Sequence, residues 1–398
     1  MSYFQQIKAG WLKVFIRIIH GVITMAHIPL LLVIYAIHPF IKLRFGYFST
    51  GRIGHFALDL GYAIALNKNK NKNEINLYYL QDEVSNKQLE VIANRELNVS
   101  QYYKYFVYAY KMLGLNDHII LPHRHKSGSR DMTGIMINSD YNISLLPSEN
   151  KEAELYMKKY GWTQGEKFIC LNVRDSAFFN ESQTSRHTNR NSNIEDFEVV
   201  VNYLLGLGYW IVRMGKKVER PINIKDSKLI DYGIDQNRSD LLDIWFCKNC
   251  EFFVSTGTGV DSVAQMFKKK IVFVNFLPIS HIISWTENIT VPKKLFWDKS
   301  GKELSLTEHL DNTYGNTYQY EEKGIKVVDL SPDEIESAVK EMVARLSGIP
   351  LTNQQIQNQK KFWDVMESHD SYRKYHGVRD PHVLFGNSFI ESHPNFLS

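Results

Sequence analysis

The pattern of hydrophobic and polar positions divides the chain into two parts. From Ile18 to Phe40, between Arg17 and Lys42, the sequence contains no charged residue. At about 1.5 Å per residue, a helix of this length is long enough to cross a ~30 Å hydrocarbon layer. After Phe45, short apolar runs alternate with stretches of helical periodicity. That alternation predicts a globular body of the α/β class.

The apolar segment is not a regular membrane span. His20, His27 and His38 interrupt it, and Pro29 predicts a kink. A small-residue cleavage site is missing, so a secretory signal peptide does not fit. Three interpretations remain open: a bent or re-entrant monotopic anchor, which we favour, a single transmembrane helix, and a buried helical hairpin. The basic flanks favour the cytoplasmic face of the inner membrane for a peripheral, monotopic or single-pass protein.

The body reads as two successive α/β domains. In residues 45–155, the run GYFSTGRIGHFALDLGYAIAL predicts a strand, a glycine-containing turn and a helix, and the strand INLYYL follows. In residues 156–348, the runs KFICLNVRD, YWIVRMG, EFFVS and KIVFVN predict strands with helices between them. This order is typical of a parallel, doubly wound sheet. We expect residues 1–44 to associate with a membrane and residues 349–398 to pack back on the body.

Composition and charge exclude several classes of protein. The hydrophobic fraction of 44% and the charged fraction of 23% exclude a mainly disordered chain. The net charge of +4 conceals an asymmetry, because residues 1–58 carry six basic residues and no acidic one. A basic stripe interleaved with aromatic residues does not recur in the body, which excludes nucleic acid as a partner. Cys247 and Cys250 form a CKNC run without a second ligand pair, so we expect a buried helix end and not a structural zinc site.

The run STGTGVDS lies between the predicted strand EFFVS and a predicted helix. It places Ser255, Thr256, Gly257, Thr258 and Gly259 at the carboxyl end of a strand, where ligands of open α/β sheets bind. Glycine permits close approach of backbone amides, a helix N-terminus offers unpaired N–H groups, and threonine hydroxyls can donate to phosphate oxygens. The spacing is neither that of a Walker A loop nor that of a dinucleotide-binding motif. The alternative is a turn that binds nothing.

Three arginines follow neighbouring predicted strands. Arg174, Arg190 and Arg213 can present guanidinium groups to a diphosphate beside the STGTG turn. The alternative for Arg174 is an ion pair with Asp175 at a surface turn. Three arginines on adjacent strand ends favour the anion site. The basic run HRHKSGSR, residues 123–130, is interpreted as a solvated loop, with contact to an acceptor phosphate as the alternative.

The run GRIGH provides the corresponding turn in the first domain. Gly51 and Gly54 permit close approach of a ligand, and Arg52 adds a positive charge. His55 stands at the predicted helix start, where an imidazole can serve as a general base near neutral pH. Asp59, one helical turn later, is a second candidate base or the residue that orients His55. The alternative is a helix-capping histidine with a solvated aspartate.

The order of these motifs resembles that of GT-B glycosyltransferases, which have two Rossmann-like domains facing a cleft. The second half is similar to bacterial heptosyltransferases in YWIVRMG and FFVSTGTGVDSVAQMF. The set GRIGHFAL, NVRDSAFF, RNSNIEDF, YWIVRMG and STGTGVDSVA resembles a bacterial glycosyltransferase family of surface-polysaccharide gene clusters. The resemblance spans roughly residues 40–345. It departs at the base, because His55 occupies the loop while the acidic candidate Asp59 lies beyond it.

The resemblance implies transfer of a sugar from a nucleotide-activated donor to a lipid-linked or surface glycan acceptor, as in polysaccharide or lipopolysaccharide biosynthesis. It further implies metal-independent chemistry without a cofactor, with the nucleotide sugar as co-substrate and a membrane surface nearby. Inverting chemistry is our own expectation, and retaining chemistry stays open. Gly51, Arg52 and Gly54 would face the acceptor, and the second domain would bind the donor. Two alternatives stay open: a sugar-nucleotide 2-epimerase of the same fold, and a non-catalytic membrane-attached scaffold of a polysaccharide assembly complex.

Overall fold

A computed structural model describes residues 3–120, 124–125, 128–178 and 188–398. The chain divides into two compact units, Met1–Arg124 with Ser139–Tyr141, and His125–Asn138 with Asn142–Ser398. Most of the predicted loop HRHKSGSR lies outside the residues whose side chains are described, as does the end of NVRDSAFFN.

The first unit contains one parallel sheet of four strands in the order β3-β2-β1-β4. Its elements, in chain order, are α1 (Tyr3–Ile37), β1 (Lys42–Phe48), α2 (Ile53–Asn69), β2 (Glu74–Leu80), α3 (Lys87–Glu96), β3 (Asn98–Val99), α4 (Lys104–Met112) and β4 (Ile119–Ile120). Short 3₁₀ turns occur at Gln101–Tyr103 and Asn116–His118. A glycine is required in the middle of β1, since a Cβ on Gly46 would lie 2.5 Å from the carbonyl oxygen of Ile120 on β4.

The apolar N-terminal segment forms one continuous α-helix that runs through Pro29. The predicted re-entrant segment and the helical hairpin are therefore both wrong. Residues Arg17–Ile37 are long and apolar enough to cross a membrane by length and composition. Four of them, Thr24, His27, Leu31 and Ile34, are buried. The buried positions lie against α4, where Leu31 and Ile34 join Phe106 in the core of the unit.

The second unit contains a parallel sheet of seven strands in the order β15-β12-β11-β10-β7-β8-β9. These strands are β7 (Phe168–Asn172), β8 (Trp210–Arg213), β9 (Leu229–Ile230), β10 (Phe253–Ser255), β11 (Ile271–Phe276), β12 (Asn288–Pro292) and β15 (Val383–Phe385). An antiparallel hairpin pairs β13 (Lys294–Trp297) with β14 (Ile325–Val328). The remaining strands, β5 (Arg124–His125) and β6 (Gly128–Ser129), are short.

The helices of the second unit connect and cover these strands. They are α5 (Ile135–Asn138), α6 (Pro147–Lys158), α7 (Glu198–Gly206), α8 (Asp240–Asn249), α9 (Asp261–Met266), α10 (Leu306–Asp311), α11 (Thr317–Glu322), α12 (Pro332–Leu346), α13 (Asn353–Ser368), α14 (Tyr372–Tyr375) and α15 (Asn387–Ser392). Helix α12 has a full capping box, in which Ser331 and Glu334 bond each other's backbone N–H groups. The predicted α/β class, with two parallel sheets and an apolar N-terminal helix, is confirmed.

The second unit extends beyond the predicted range of 156–348 in both directions. On the N-terminal side, the buried guanidinium of Arg130 donates to the carbonyl oxygens of Tyr375 at 2.6 Å and Ile282 at 2.9 Å, which fixes its segment to this unit. On the C-terminal side, the tail supplies the edge strand β15, and Phe362 and Phe385 lie in the main core. The tail is thus built into the sheet.

Candidate functional site

The STGTG run forms the turn between β10 and α9. Because β10 lies between β7 and β11, this turn is central along the carboxyl edge of the seven-stranded sheet. Gly257 has a φ of +77°, a left-handed conformation that favours glycine. A Cβ at this position would also lie 3.3 Å from the ring of Phe276. The turn therefore needs glycine at position 257 for its own geometry, whether or not a ligand approaches it.

A buried carboxylate that the sequence analysis missed closes this turn from inside. Asp261 Oδ2 accepts hydrogen bonds from the Ser255 hydroxyl at 2.9 Å and from the Thr258 N–H at 2.6 Å. Its other oxygen, Oδ1, accepts from Gln265 at 3.1 Å. Burial raises the pKa of Asp261 to about 6, and the hydrogen bonds and the charge of Arg190 oppose that rise only in part. The spacing Thr258-x-x-Asp261 is a capping-box spacing that the sequence shows, although the helix itself begins at Asp261 with Val260 as its N-cap.

The sequence analysis predicted that this turn offers unpaired N–H groups. That prediction is wrong for three of its residues. The N–H groups of Thr256, Gly257 and Thr258 donate to Asn172 O, Ser255 Oγ and Asp261 Oδ2 respectively. The part of the turn left towards solvent is the half-buried Thr258 and the exposed Gly259. A bound anion would therefore depend on side chains more than on the amides of this turn.

The threonine hydroxyls join the turn to the loop that follows β7. Thr256 Oγ1 accepts from the backbone N–H of Arg174 at 2.9 Å, and Thr258 Oγ1 accepts from Asn172 Nδ2 at 2.5 Å. A hydroxyl that accepts one hydrogen bond still has its own hydrogen to donate. The two loops predicted to form a site, NVRD and STGTG, are thus in direct contact.

Two of the three predicted arginines lie at this junction. Arg190 Nη2 donates to the carbonyl oxygen of Gly257 at 2.7 Å. Burial lowers the pKa of Arg190, although the nearby charge of Asp261 opposes the shift. Burial, together with the smaller effect of the positive charge of Arg190, lowers the pKa of Arg174 to about 10. The two guanidinium groups are therefore close enough to repel each other while partly removed from water.

Arg213 is engaged elsewhere. It is 1% exposed, and its Nη1 donates to the carbonyl oxygen of Arg220 at 2.7 Å and to the Asp231 carboxylate at 3.1 Å. Asp231 also accepts from the N–H of Ile222 at 3.0 Å. These contacts make Arg213 part of a buried ion pair that fixes the loop after β8. Its guanidinium is therefore not directed at the STGTG turn.

A polar cavity of about 610 Å³ lies beside the 3₁₀ turn Thr188–Arg190 that carries Arg190. Its other walls come from residues 293–329, which include the β13–β14 hairpin. Lys293, 2% exposed, donates to Asp329 Oδ1 at 2.5 Å, so its charge is matched. The amide Nδ2 of the buried Asn189 has no hydrogen-bond partner in the described part of the chain. A cavity with amides, hydroxyls and both signs of charge suits a hydroxyl-rich ligand.

In the first unit, the GRIGH turn follows β1 and opens α2. Thr50, just before it, is buried, and its hydroxyl donates to the carbonyl oxygen of Asp82 at 2.6 Å, which ties the turn to the end of β2. Gly51 and Arg52 are exposed. Arg52 is the N-cap of α2 and makes no side-chain capping hydrogen bond. The turn is therefore held by its neighbour strand and leaves its Gly-Arg tip to solvent.

The two candidate bases lie on the first turns of α2. Gly54 and His55 are half-buried, and Asp59 is 2% exposed. The alternative of a solvated aspartate is wrong, because Asp59 belongs to the run of buried residues along α2. The alternative of a capping histidine is also wrong, since His55 lies inside the helix and Arg52 is its N-cap.

The cysteines are all buried with free thiols: Cys170, Cys247 and Cys250. Cys250 follows directly on α8, where its N–H donates to the carbonyl oxygen of Phe246. Within the described ranges, no group of three or more His, Cys, Asp or Glu side chains could hold a metal ion.

Comparison with known proteins gives matches among solved structures. No protein-family model matches the chain, and no curated protein matches it. Among solved structures, it is similar to the glycosyl transferase family 9 protein from Veillonella parvula DSM 2008, with a TM-score of 0.44 and 11% identity over 63% of this chain and 85% of that chain.

Two heptosyltransferases from E. coli are also similar. ADP-heptose lps heptosyltransferase II has a TM-score of 0.40 and 10% identity over 76% of this chain and 99% of that chain. Heptosyltransferase WaaC with ADP has a TM-score of 0.35 and 7% identity over 77% of this chain and 98% of that chain. The resemblance predicted from the motifs is thus also seen as a structural similarity. At these scores and identities the similarity assigns no activity to this chain.

Proposed function

We propose that this protein is a glycosyltransferase that moves a sugar from a nucleotide-activated donor to a lipid-linked or surface glycan acceptor. The observation that carries the proposal is the pair Arg174 and Arg190 beside the STGTG turn. Burial lowers the pKa of both guanidinium groups; the charge of Arg190 adds repulsion at Arg174, while Asp261 opposes the shift at Arg190. A diphosphate between them would relieve that repulsion and accept their charge-assisted hydrogen bonds.

In this proposal each part of the second-unit site has a separate task. Arg174 and Arg190 bind the diphosphate, and Thr258 and Gly259 form the side of the turn that faces it. Ser255, Thr256 and Gly257 build the turn through their internal hydrogen bonds and contribute indirectly.

The cavity beside Arg190 would take a hydroxyl-rich part of the same ligand. Its walls offer amides and hydroxyls, among them Asn189 and Thr317, and Lys293 is paired with Asp329. The other charged residues of the lining are Asp298, Glu321 and Lys326. A ribose or a transferred sugar presents hydroxyls that can hydrogen-bond such groups.

The chemical step would use a base from the first unit. His55 or Asp59 would remove the proton of an acceptor hydroxyl as its oxygen attacks the anomeric carbon, and the bond from that carbon to the phosphate oxygen would break. The arginines would stabilise the charge on the departing diphosphate. Attack from the face opposite the leaving group inverts the configuration at the anomeric carbon. Gly51, Arg52 and Gly54 would contact the acceptor, and α1 would keep the first unit at the cytoplasmic face of a membrane.

Nucleotide binding tests the proposal. Thermal unfolding of the full chain would be measured with UDP, GDP, ADP and CMP, and we expect at least one to raise the melting temperature. Arg190→Ala should weaken that nucleotide by roughly ten- to a hundredfold, because a charge-assisted hydrogen bond is worth about 1.5–3 kcal/mol.

Two matched variants control for side effects of the substitution. Arg190→Lys keeps the charge and should retain part of the affinity, while Arg373→Ala removes an exposed arginine of α14 and should change nothing. Absence of stabilisation by all four nucleotides would overturn the donor site. Binding with conversion of a sugar nucleotide to its 2-epimer, without an acceptor, would indicate the epimerase, and binding without turnover in membrane extracts would indicate the scaffold.

A further inference from the structure

We infer that α1 lies flat in the interface of an anionic lipid bilayer, with one face in the lipid and α4 alongside it, and that it does not cross the membrane. The inference concerns the first unit alone and rests on the proposed membrane association, which it makes specific. It assigns a membrane-docking surface, defined as the exposed face of α1 together with the lysines of α4.

One face of α1 is already occupied by protein. Its buried positions are Thr24, His27, Leu31 and Ile34, spaced by three or four residues as one side of a helix requires. His27 Nε2 lies 2.6 Å from the hydroxyl of Tyr102. His20 and His27 therefore have polar partners on the protein side of the helix, whereas His38 is exposed just after the helix ends.

The other face of α1 is apolar and exposed. Side chains at least half exposed there, with their exposed fractions, are Trp11 73%, Phe15 60%, Ile18 59%, Val22 57%, Met25 53%, Leu32 71%, Val33 57% and Tyr35 76%. Phe40, just after the helix, is 77% exposed. Single exposed apolar residues are common on protein surfaces, but a continuous apolar strip of this length indicates an interaction surface.

A transmembrane orientation conflicts with the packing of the same helix. His20 Nδ1 lies 3.0 Å from the hydroxyl of Tyr105, and Ile34 shares a core with Phe45 on β1, so α4 and the sheet accompany α1 through most of its apolar length. If α1 crossed the bilayer, the loops and the open edges β3 and β4 of this sheet would enter the hydrocarbon. Unpaired backbone groups are not tolerated there. A helix with one face on lipid and the other on protein satisfies both constraints.

Charge selects the bilayer as the occupant of this surface. Arg17, Lys104 and Lys111 have no carboxylate partner in the described residues, whereas Arg44 is paired with Glu74 at 2.8 Å. The first 58 residues contain no acidic side chain at all. A second copy of the chain would bring like charges together on this face, while anionic headgroups would neutralise them.

Vesicle flotation of the full chain tests the docking surface. We expect binding to vesicles of phosphatidylcholine with phosphatidylglycerol and much weaker binding to phosphatidylcholine alone. Leu32→Glu on the exposed face should reduce the bound fraction at least tenfold. Val91→Glu is the matched control, because it also adds a carboxylate at an exposed apolar position, on α3, where Val91 is 46% exposed. It should leave the bound fraction unchanged. Equal binding of wild type and Leu32→Glu, or no binding to either vesicle, would overturn the inference.

Labelling with a membrane-impermeant maleimide distinguishes a flat helix from a span. The native cysteines are buried, so Gln5→Cys and Asn71→Cys would each supply a single accessible thiol. Gln5 lies in the first turn of α1, and Asn71 lies in the loop whose Asn73 carbonyl accepts the N–H of Lys42, just after the segment. A flat helix predicts that both are labelled from the same side of sealed vesicles; labelling from opposite sides would establish a span and refute the proposal. A stable dimer that Leu32→Glu dissociates would assign the surface to a second copy instead. Nucleotide stabilisation is measured separately, so its loss would contradict the proposed function and leave this inference intact.

Discussion

The STGTG and GRIGH turns have the same position in their sheets, but different contacts hold them in place. Each follows a central strand of a parallel sheet, β10 or β1, and opens a helix, α9 or α2. The STGTG turn is closed internally by Asp261, which accepts the N–H of Thr258. The GRIGH turn is held from outside by Thr50 and Asp82, and its N-cap residue contributes no side-chain hydrogen bond.

The difference shows that a glycine-rich turn before a helix does not by itself leave N–H groups for an anion. In the STGTG turn the first residue of the helix, Asp261, decides, because its carboxylate takes the Thr258 N–H that a ligand would use. In the STGTG turn this carboxylate shifts the proposed phosphate contacts to Arg174 and Arg190. In the GRIGH turn the exposed Gly-Arg tip and the histidine behind it suit contact with an acceptor.

The largest expected effect separates the catalytic task of one turn from the binding task of the other. If His55 is the general base, His55→Ala should lower turnover by about 10²–10⁴-fold, and nucleotide affinity should not change. The measurement is release of the nucleoside diphosphate from a sugar nucleotide in the presence of a membrane acceptor. Asp59→Asn is the parallel variant for the second candidate.

Each of these variants has an informative failure. Full turnover in both would show that neither residue is the base. A loss of thermal stability in Asp59→Asn would instead assign the buried carboxylate of α2 a structural role, since it is 2% exposed. Unchanged nucleotide affinity is the control that keeps the two turns separate.

The sequence predicted which loops meet and was less successful with what each side chain does. Arg174, Arg190 and the STGTG turn were brought together correctly, because the carboxyl ends of parallel strands converge at one edge of the sheet. Arg213 also ends such a strand, but its partner Asp231 is 18 residues further along the chain, and no local pattern reveals a pairing of this kind.

The same limit applied to the N-terminal helix. The sequence predicted its length and apolar character. The role of His20 and His27 became clear only once Tyr105 and Tyr102 were known to lie opposite them. Tertiary partners far along the chain are the information that single-sequence patterns lack.

The pH dependence of stability tests the closure of the STGTG turn by Asp261. Its pKa is raised to about 6 in the folded protein, above the unfolded value near 3.8. The folded state therefore holds a proton that the unfolded state has released between these values, and the free energy of unfolding falls as pH rises from about 4 to about 6. The difference corresponds to about 3 kcal/mol.

Comparison with Asp261→Asn isolates this contribution from the other titrating groups. The variant cannot titrate at this position, so its stability relative to wild type should increase over the same pH interval and stay constant above it. Urea unfolding followed at several pH values measures the difference. A constant difference between the two proteins from pH 4 to pH 7 would show that Asp261 is not the buried, hydrogen-bonded acid described above.

The smallest expected effect compares one glycine from each turn. Gly257→Ala should destabilise the second unit by about 1–2 kcal/mol, because position 257 has a φ of +77° and an added Cβ would lie 3.3 Å from Phe276. Gly51→Ala should be close to neutral for stability, since its nearest contact would be an ordinary 3.4 Å from Asp82 and its φ is not in the left-handed region. Thermal unfolding of the two variants measures both effects.

If Gly51 contacts the acceptor, its variant will lose turnover without losing stability. If Gly51→Ala is silent in both measurements, close approach of an acceptor at this tip is refuted, and glycine at the first turn has no role that alanine cannot fill.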